Sequence, residues 1–399
     1  MKIAFITSSL ELGKDGVGDY TRLLAEACVR QGHECYLVSI NERLLTQISK
    51  SKIAVDFVEM SLLRLPTNMP WKQRIAHAEK LLALFQPDWI SLQFVPYGYQ
   101  DKGIIIKLRQ RLQPLLKERR LHIMFHELWI GQNTSAKLRE RLVGTVQKFF
   151  ILQLIKQLKP LVVHTSNSTY IALLKRNGVS ASRLPLFGSI SITNQNAERW
   201  LFSELQELGL NIKTEPRNHF WLFGFFGSLH PVWPAEPLFS CLYGAAIKNN
   251  RQVAIISIGR LGPGEELWQS LSKNYSSQFV FLRLGERSPL EISEFFNSID
   301  FGIATSPYAL IGKSATVAAM LEHKLPVIVN RDDFKLASCT ASFQEPQSLL
   351  YKIDQIDDYL ANKLNGSIRR KLPQSGLPDV TTQFIKDITL ASIFYSKSS

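Results

Sequence analysis

Cysteine is scarce in this chain and long apolar runs are missing, and each shortage removes a class of protein. The 399 residues hold four cysteines, Cys28, Cys35, Cys241 and Cys339, none in a CxxC pair or a zinc-ligand spacing. A disulfide framework is excluded as the organising principle, and the four read as reduced thiols filling small core positions of a cytoplasmic protein. No uninterrupted apolar run reaches the roughly 18 residues a bilayer-spanning helix needs. Met1–Leu10 is apolar but lacks a basic n-region and a small-residue cleavage site, so it reads as a buried first strand. There is no low-complexity run, no repeat array, no HExxH, no DxD and no Ser-His-Asp arrangement, and no catalytic metal is expected. Acidic residues are in deficit, 34 against 47 basic, for a net charge of +13. That charge favours anionic partners: nucleotide phosphates, anionic lipid heads or nucleic acid. Nucleic acid is the least favoured of these, because the basic residues are scattered and form no recognisable module.

What is present is an alternation of strands and helices, running twice. Hydrophobic residues make up 45% and charged residues 20%, the composition of a globular protein whose length suggests two domains. In the first half, KIAFITSS is followed by a glycine-bearing loop and the helix DYTRLLAEACVRQG. The strand CYLVSI comes next, with a weaker one near AVDFVEM. A helix over 71–85 precedes DWISLQFV, the helix IIIKLRQRLQPLLKERR precedes LHIMFHEL, and a long basic helix over 136–157 precedes LVVHTS. From 185 to 217 the rhythm fades and the chain turns polar. It restarts at FWLFGFFGSL, with VAIISIG, QFVFLRLG, DFGIATS and PVIVN as further strands. The pattern predicts an α/β protein of two doubly wound, Rossmann-like domains facing each other across a cleft. The expected boundaries are 1–190 for the first domain, 191–217 for an interdomain segment and 218–380 for the second. A terminal helix within 381–399 is expected to return to the first domain.

A doubly wound sheet binds ligands at the carboxyl ends of its strands, which is where the first loop, LGKDGVGDYTRLLAEA, falls. Gly16 and Gly18 allow close backbone approach, and the helix start beyond them favours an anion, with Asp19 as a candidate cap. The loop is not the GxGxxG fingerprint, and no acidic residue closes the next strand as read, CYLVSI.

These residues resemble the start of a GT-B glycosyltransferase, and most closely the large retaining group called family 4. LGERSPLEISEFFNSIDFGIATSP and GKSATVAAMLEHKLPVIV resemble that group's approach to the donor site and its donor-binding helix. The resemblance implies a glycosyltransferase that moves a hexose, with retention and without metal or resident cofactor, from a nucleotide-sugar donor to an unidentified acceptor. The pattern also departs from the group. The two donor-site glutamates fall on Ile311 and Ala319, and the Arg and Lys expected after the second domain's first strand are replaced by Gly227-Ser228-Leu229-His230. The alternative is therefore a catalytically impaired relative that binds a sugar, a nucleotide or a partner protein.

On the donor side, Gly312, Lys313, Ser314 and Thr316 open a helix where a lysine, hydroxyls and backbone N–H groups suit a diphosphate. Lys313 is the candidate for stabilising the leaving group. Gly227 and Arg260 are further candidates for the diphosphate, Arg283 and Arg287 weaker ones, and Glu322 a candidate for the nucleoside. On the acceptor side, His126 ends a strand and is the candidate to hydrogen-bond a sugar hydroxyl or move a proton. Gln93, Tyr97, Glu127, Trp129 and His230 are expected around the sugar, with Tyr99 beside them. The helix KLRERLVGTVQKFFILQLIKQLKP is basic on one side and apolar on the other. It suits either a core-facing helix with a solvated basic face or peripheral contact with the inner face of a membrane.

Overall fold

The computed structural model describes residues 1–116, 119–210, 217–336, 349–353 and 373–398. Cys339 lies outside the described residues. The chain divides into two compact units. The first comprises Met1–Leu186, a short segment from Lys335 to Phe343 and the C-terminal segment from Leu377, and the second comprises Phe187–Phe334 and Gln344–Gly376.

The first unit opens with β1 (Lys2–Thr7), α1 (Gly16–Arg30), β2 (Glu34–Glu42), β3 (Ser49–Val55), β4 (Val58–Pro66) and α2 (Trp71–Phe85). It continues through β5 (Trp89–Phe94), α3 (Leu108–Leu116), β6 (Arg120–Phe125), α4 (Leu138–Leu158), β7 (Val162–Thr165), α5 (Ser168–Lys175) and β8 (Ser182–Arg183). These strands form one sheet in the order β3-β4-β2-β1-β5-β6-β7-β8. Its centre is parallel, and β1 and β5 are buried along nearly their whole length, which is why they read as continuous apolar runs. The C-terminal helix (Leu377–Ser398) belongs to this unit and buries Phe384 and Ile388.

The second unit holds α6 (Glu198–Glu207), β9 (Phe220–Phe226), α7 (Glu236–Asn249), β10 (Gln252–Ile258), α8 (Glu265–Asn274) and β11 (Val280–Gly285). After these come α9 (Pro289–Ser298), β12 (Phe301–Ala304), α10 (Ala315–Glu322), β13 (Val327–Val329) and β14 (Leu350–Lys352). The sheet is parallel throughout, in the order β11-β10-β9-β12-β13-β14. Alternate residues of β9 feed two cores: Phe220 and Leu222 on one face, Trp221, Phe223 and Phe225 on the other. Helix α9 starts where Ser288 and Glu291 form a reciprocal capping box with Pro289 between them.

Two elements differ from the pattern read in the sequence. The weak strand near AVDFVEM is the tip of an antiparallel hairpin, β3–β4, turning at Asp56 with φ +54°. The polar stretch after 190 carries α6, whose Leu201 and Leu205 are buried in the second unit's core. The apolar stripe of α6 is short, and its meaning depends on the sheet it covers.

Candidate functional site

In the second unit, the carboxyl ends of β9, β10 and β12 converge with the start of α10. Gly227, just past β9, has φ +74°, and a Cβ there would stand 3.3 Å from the Thr316 methyl. Gly259, just past β10, has φ +92°, and a Cβ there would stand 3.3 Å from the backbone of Gly227. Both conformations favour glycine, and both approaches leave little room for a side chain. Thr305 Oγ1, past β12, donates to the Ser228 carbonyl at 3.1 Å, while the Leu229 amide donates to the Leu261 carbonyl at 3.0 Å. Helix α10 is capped by Ser314, whose Oγ accepts from the Val317 amide at 3.4 Å and lies 2.9 Å from Thr316 Oγ1. A short 3₁₀ turn, Tyr308–Lys313, delivers Gly312 and Lys313 to this helix start, and both are half-buried. The result is a polar edge with little side-chain bulk at the positive end of a helix dipole.

Arg260 stands at this edge, exposed and paired with Glu286 at 3.0 Å. An exposed pair contributes about 0–1 kcal/mol, so an incoming phosphate can compete for the guanidinium. Sequence reasoning missed Arg331, just past β13, which is buried and donates to the Thr305 carbonyl at 3.0 Å and to Asp333. Its signal was an arginine directly following the strand PVIVN. His230 is exposed, and its Nδ1 accepts from the Val232 amide at 3.3 Å. Partial burial and the neighbouring Arg331 charge lower its pKa. Arg283 is tied to Glu265, and Arg287 to Glu204 and Glu291, which are structural pairings.

Glu322, expected at the nucleoside, instead bonds the backbone of its own unit. Its Oε1 accepts from the amides of Gly188 at 3.0 Å and Gly376 at 2.8 Å, and the side chain is buried. The carboxylate secures the backbone beside two of the points where the chain passes between the units, near Phe187 and at Gly376. Burial raises its pKa to about 7, against the two amide hydrogen bonds that favour the ionised form. Ala319, at the vacant glutamate position, is fully buried.

In the first unit the glycine loop is already occupied by its own carboxylates. Asp15, not Asp19, caps α1: its Oδ1 accepts from the amides of Val17 and Gly18, both at 3.0 Å. Asp19 accepts from the Gly13 amide instead. An anion approaching this loop would meet two carboxylates and find the Gly18 amide taken, which disfavours the diphosphate contact expected at Gly16 and Gly18. Gly18 is needed for packing, because a Cβ there would lie 2.7 Å from the Ser9 carbonyl oxygen. Strand β2 also runs further than CYLVSI and ends on an acidic residue, Glu42. Its fully buried carboxylate accepts from Arg64, from the Leu10 amide and from the hydroxyls of Ser9 and Ser39. Burial opposes its ionisation, but these hydrogen bonds outweigh burial and hold its pKa below the usual carboxylate value. Glu42 thus organises the loop after β1 and has no acceptor capacity to spare for a ribose.

His126 follows β6 and is buried, its ring edge-on to Tyr20 at 4.9 Å. Its Nε2 bonds Gln93 Oε1 at 2.8 Å. Burial lowers its pKa to about 3, so the imidazole is neutral near pH 7 and is a poor proton carrier. Gln93 is fully buried behind it, joined also to Ser91 at 2.8 Å, and is therefore a support for His126 and not a sugar contact. Tyr97 is half-buried, and its hydroxyl accepts from Gln147, whose amide also donates to the Lys102 carbonyl. Trp129 is 4% exposed, with Lys148 6.0 Å from its ring centroid, so it offers no open face for stacking. Tyr99 is half-buried, its ring stacked on Phe94. Glu127, half-buried beside His126, remains a candidate by position.

Helix α4 turns Gly144, Gln147, Ile151, Leu154 and Ile155 inward. Its amino-terminal half exposes Leu138 (74%), Leu142 (62%), Val146 (40%) and Phe149 (60%), so the apolar side is not wholly core-facing. Among the described residues there is no cluster of three or more His, Cys, Asp or Glu able to hold a metal, and no helix long and apolar enough to cross a membrane.

No protein-family model matches this chain, and no curated protein matches its sequence. Solved structures do. The catalytic domain of starch synthase IV from Arabidopsis thaliana, bound to ADP and acarbose, superposes with a TM-score of 0.61 at 13% identity, covering 98% of this chain and 99% of that one. Trehalose 6-phosphate synthase from Burkholderia multivorans gives a TM-score of 0.56 at 10% identity, with full coverage of both chains. Anabaena HepE in complex with UDP-glucose gives 0.53 at 14% identity, again over both full chains. The chain has the two-Rossmann-domain fold of the GT-B glycosyltransferases.

Proposed function

We propose that this protein is a glycosyltransferase that takes a hexose from a nucleoside-diphosphate sugar. In this reading the second unit is the donor domain and the first the acceptor domain. The observation that carries it is the convergence of Gly227, Gly259 and Thr316 at the amino end of α10, at the ligand-binding edge of a parallel sheet. The donor diphosphate meets the helix dipole there, with the Lys313 ammonium and the Ser314 and Thr316 hydroxyls alongside. As the anomeric carbon's bond to the diphosphate breaks and its bond to the acceptor oxygen forms, negative charge grows on the leaving diphosphate, which takes up the acceptor's proton. Fixed dipoles and Lys313 stabilise that charge more than the ground state. Arg260 provides a second cation once it leaves Glu286.

His126 acts as a neutral hydrogen-bond partner for a sugar hydroxyl, since its low pKa disfavours a proton-shuttling role. Retention, and transfer without a metal, follow from the resemblance to family 4. The exposed apolar stripe of α4 supports peripheral contact with a membrane surface. The test is donor hydrolysis and transfer assayed with UDP- and ADP-sugars. Turnover lost in Lys313→Ala and His126→Ala supports the assignment.

A second reading has an observation of its own. Ala319 occupies the position of a donor-site glutamate, and Glu322 Oε1 accepts from the amides of Gly188 and Gly376. A protein that binds the nucleotide sugar without turning it over would show saturable binding and no product in the same assay.

A further inference from the structure

Five polar side chains connect His126 to the C-terminal helix. His126 Nε2 meets Gln93 Oε1 at 2.8 Å, and Gln93 Nε2 meets Ser91 Oγ at 2.8 Å. Ser91 Oγ meets His122 Nδ1 at 2.8 Å, and His122 Nε2 meets His164 Nδ1 at 3.1 Å. His164 Nε2 ends the row on Asp387 Oδ2 at 3.0 Å. Ser91, Gln93, His122 and His164 are each fully buried, and the Asp387 side chain is 21% exposed. The row crosses β5, β6 and β7 on one face of the sheet. The C-terminal helix covers that face, with the Phe384 ring edge-on to His122.

Only one arrangement of protons satisfies every member. An ionised carboxylate accepts and cannot donate, so His164 donates from Nε2 and accepts at Nδ1. His122 must then donate from Nε2 and accept at Nδ1, which obliges Ser91 to donate its hydroxyl proton. Ser91 accepts in turn from Gln93 Nε2, which leaves Gln93 Oε1 to accept from His126 Nε2–H. Burial keeps the inner rings neutral: it lowers His122 well below the ordinary imidazole value, and lowers His164 against the partly offsetting charge of Asp387.

We infer that Asp387 is a positioning residue which, through this row of hydrogen bonds, holds His126 in its Nε2–H tautomer with Nδ1 as a lone-pair acceptor. A histidine so held accepts a hydrogen bond from a ligand hydroxyl and cannot donate one from Nδ1. The consequence for sugar recognition rests on the function proposed above, whereas the tautomer itself does not.

The test is nitrogen-15 NMR of histidine-labelled full-length protein, with the His126 signals assigned by their loss in His126→Gln. In the wild type, His126 Nε2 should give a pyrrole-type and Nδ1 a pyridine-type shift. Asp387→Ala removes the terminal acceptor and allows the row to reverse, so His126 Nδ1 should move toward the pyrrole-type position. Asp387→Asn keeps an acceptor oxygen and should retain the wild-type pattern. Should Asp387→Ala fail to fold, Ser91→Ala cuts the row in its middle, and a mixture of His126 tautomers is expected. A wild-type Nδ1–H tautomer, or an unchanged His126 in a folded Asp387→Ala or Ser91→Ala protein, overturns the inference. Because this readout needs no substrate, its failure is separable from a failure of donor binding.

Discussion

Asp15 Oδ1 lies 3.0 Å from the Gly18 amide, and that hydrogen bond turns a loop resembling an anion site into a closed helix cap. Asp15→Ala should cost about 1 kcal/mol of stability, the usual value of a lost N-cap, and leave nucleotide affinity unchanged. Thermal melts and calorimetry on the same variant check both halves. Gly16→Ala, which meets open space, should be far milder than Gly18→Ala, whose Cβ would press on the Ser9 carbonyl.

Glu42 supplies a acid-side stability limit. Its pKa is lowered in the folded chain, so its contribution is present above the ordinary value of 4.5 and is lost as pH falls through the folded value. Glu42→Ala should destabilise by about 3–5 kcal/mol, because it leaves Arg64 with one fewer buried carboxylate partner. Urea titrations at pH 7 and pH 4 measure this, and the gap between variant and wild type should narrow at the lower pH.

Glu322 works in the opposite direction. Its carboxyl titrates at about 7 in the folded chain against 4.5 as the ordinary value. Its contribution is therefore fully present below 4.5 and is lost as pH rises through 7. Glu322→Gln keeps an acceptor for Gly188 and Gly376 and cannot ionise. The variant should melt higher than the wild type at pH 8, with the difference shrinking as pH falls and vanishing below pH 4.5.

The exposed stripe on α4 predicts surface activity. Leu142→Glu with Phe149→Glu should reduce binding to anionic phospholipid vesicles by tenfold or more, since burial of each side chain contributes about 1.5–3 kcal/mol. Vesicle co-sedimentation measures it, and the double variant should leave the melting temperature nearly unchanged because both side chains are exposed.

Much of the fold was legible because its signals are local. Helix α2 spans the residues its apolar spacing predicted, and α9 begins at a capping box written in four consecutive residues. The two sheets follow from alternating strands and helices, and Gly227 and Thr316 fell on the edge where they were expected. The failures were non-local. Asp15 and Asp19 compete for one cap, and only the backbone decides between them. Glu42 lay two residues beyond the strand as read, and its partners Arg64 and Leu10 come from other elements. The row behind His126 joins residues as far apart as His164 and Asp387, 223 positions along the chain. Its trace in the sequence was faint: polar residues at alternate positions of otherwise apolar strands, in WISLQF and LHIMFH. For Glu322, a carboxylate near a donor helix suggests a ligand, whereas its partners here are two backbone amides.

The most direct test is calorimetric titration of UDP and ADP into the wild type, Lys313→Ala and Gly227→Val. The account predicts saturable binding of at least one diphosphate, weakened about tenfold, or about 1.4 kcal/mol, in Lys313→Ala and abolished in Gly227→Val. No binding at millimolar nucleotide, or binding that both substitutions leave untouched, would contradict it.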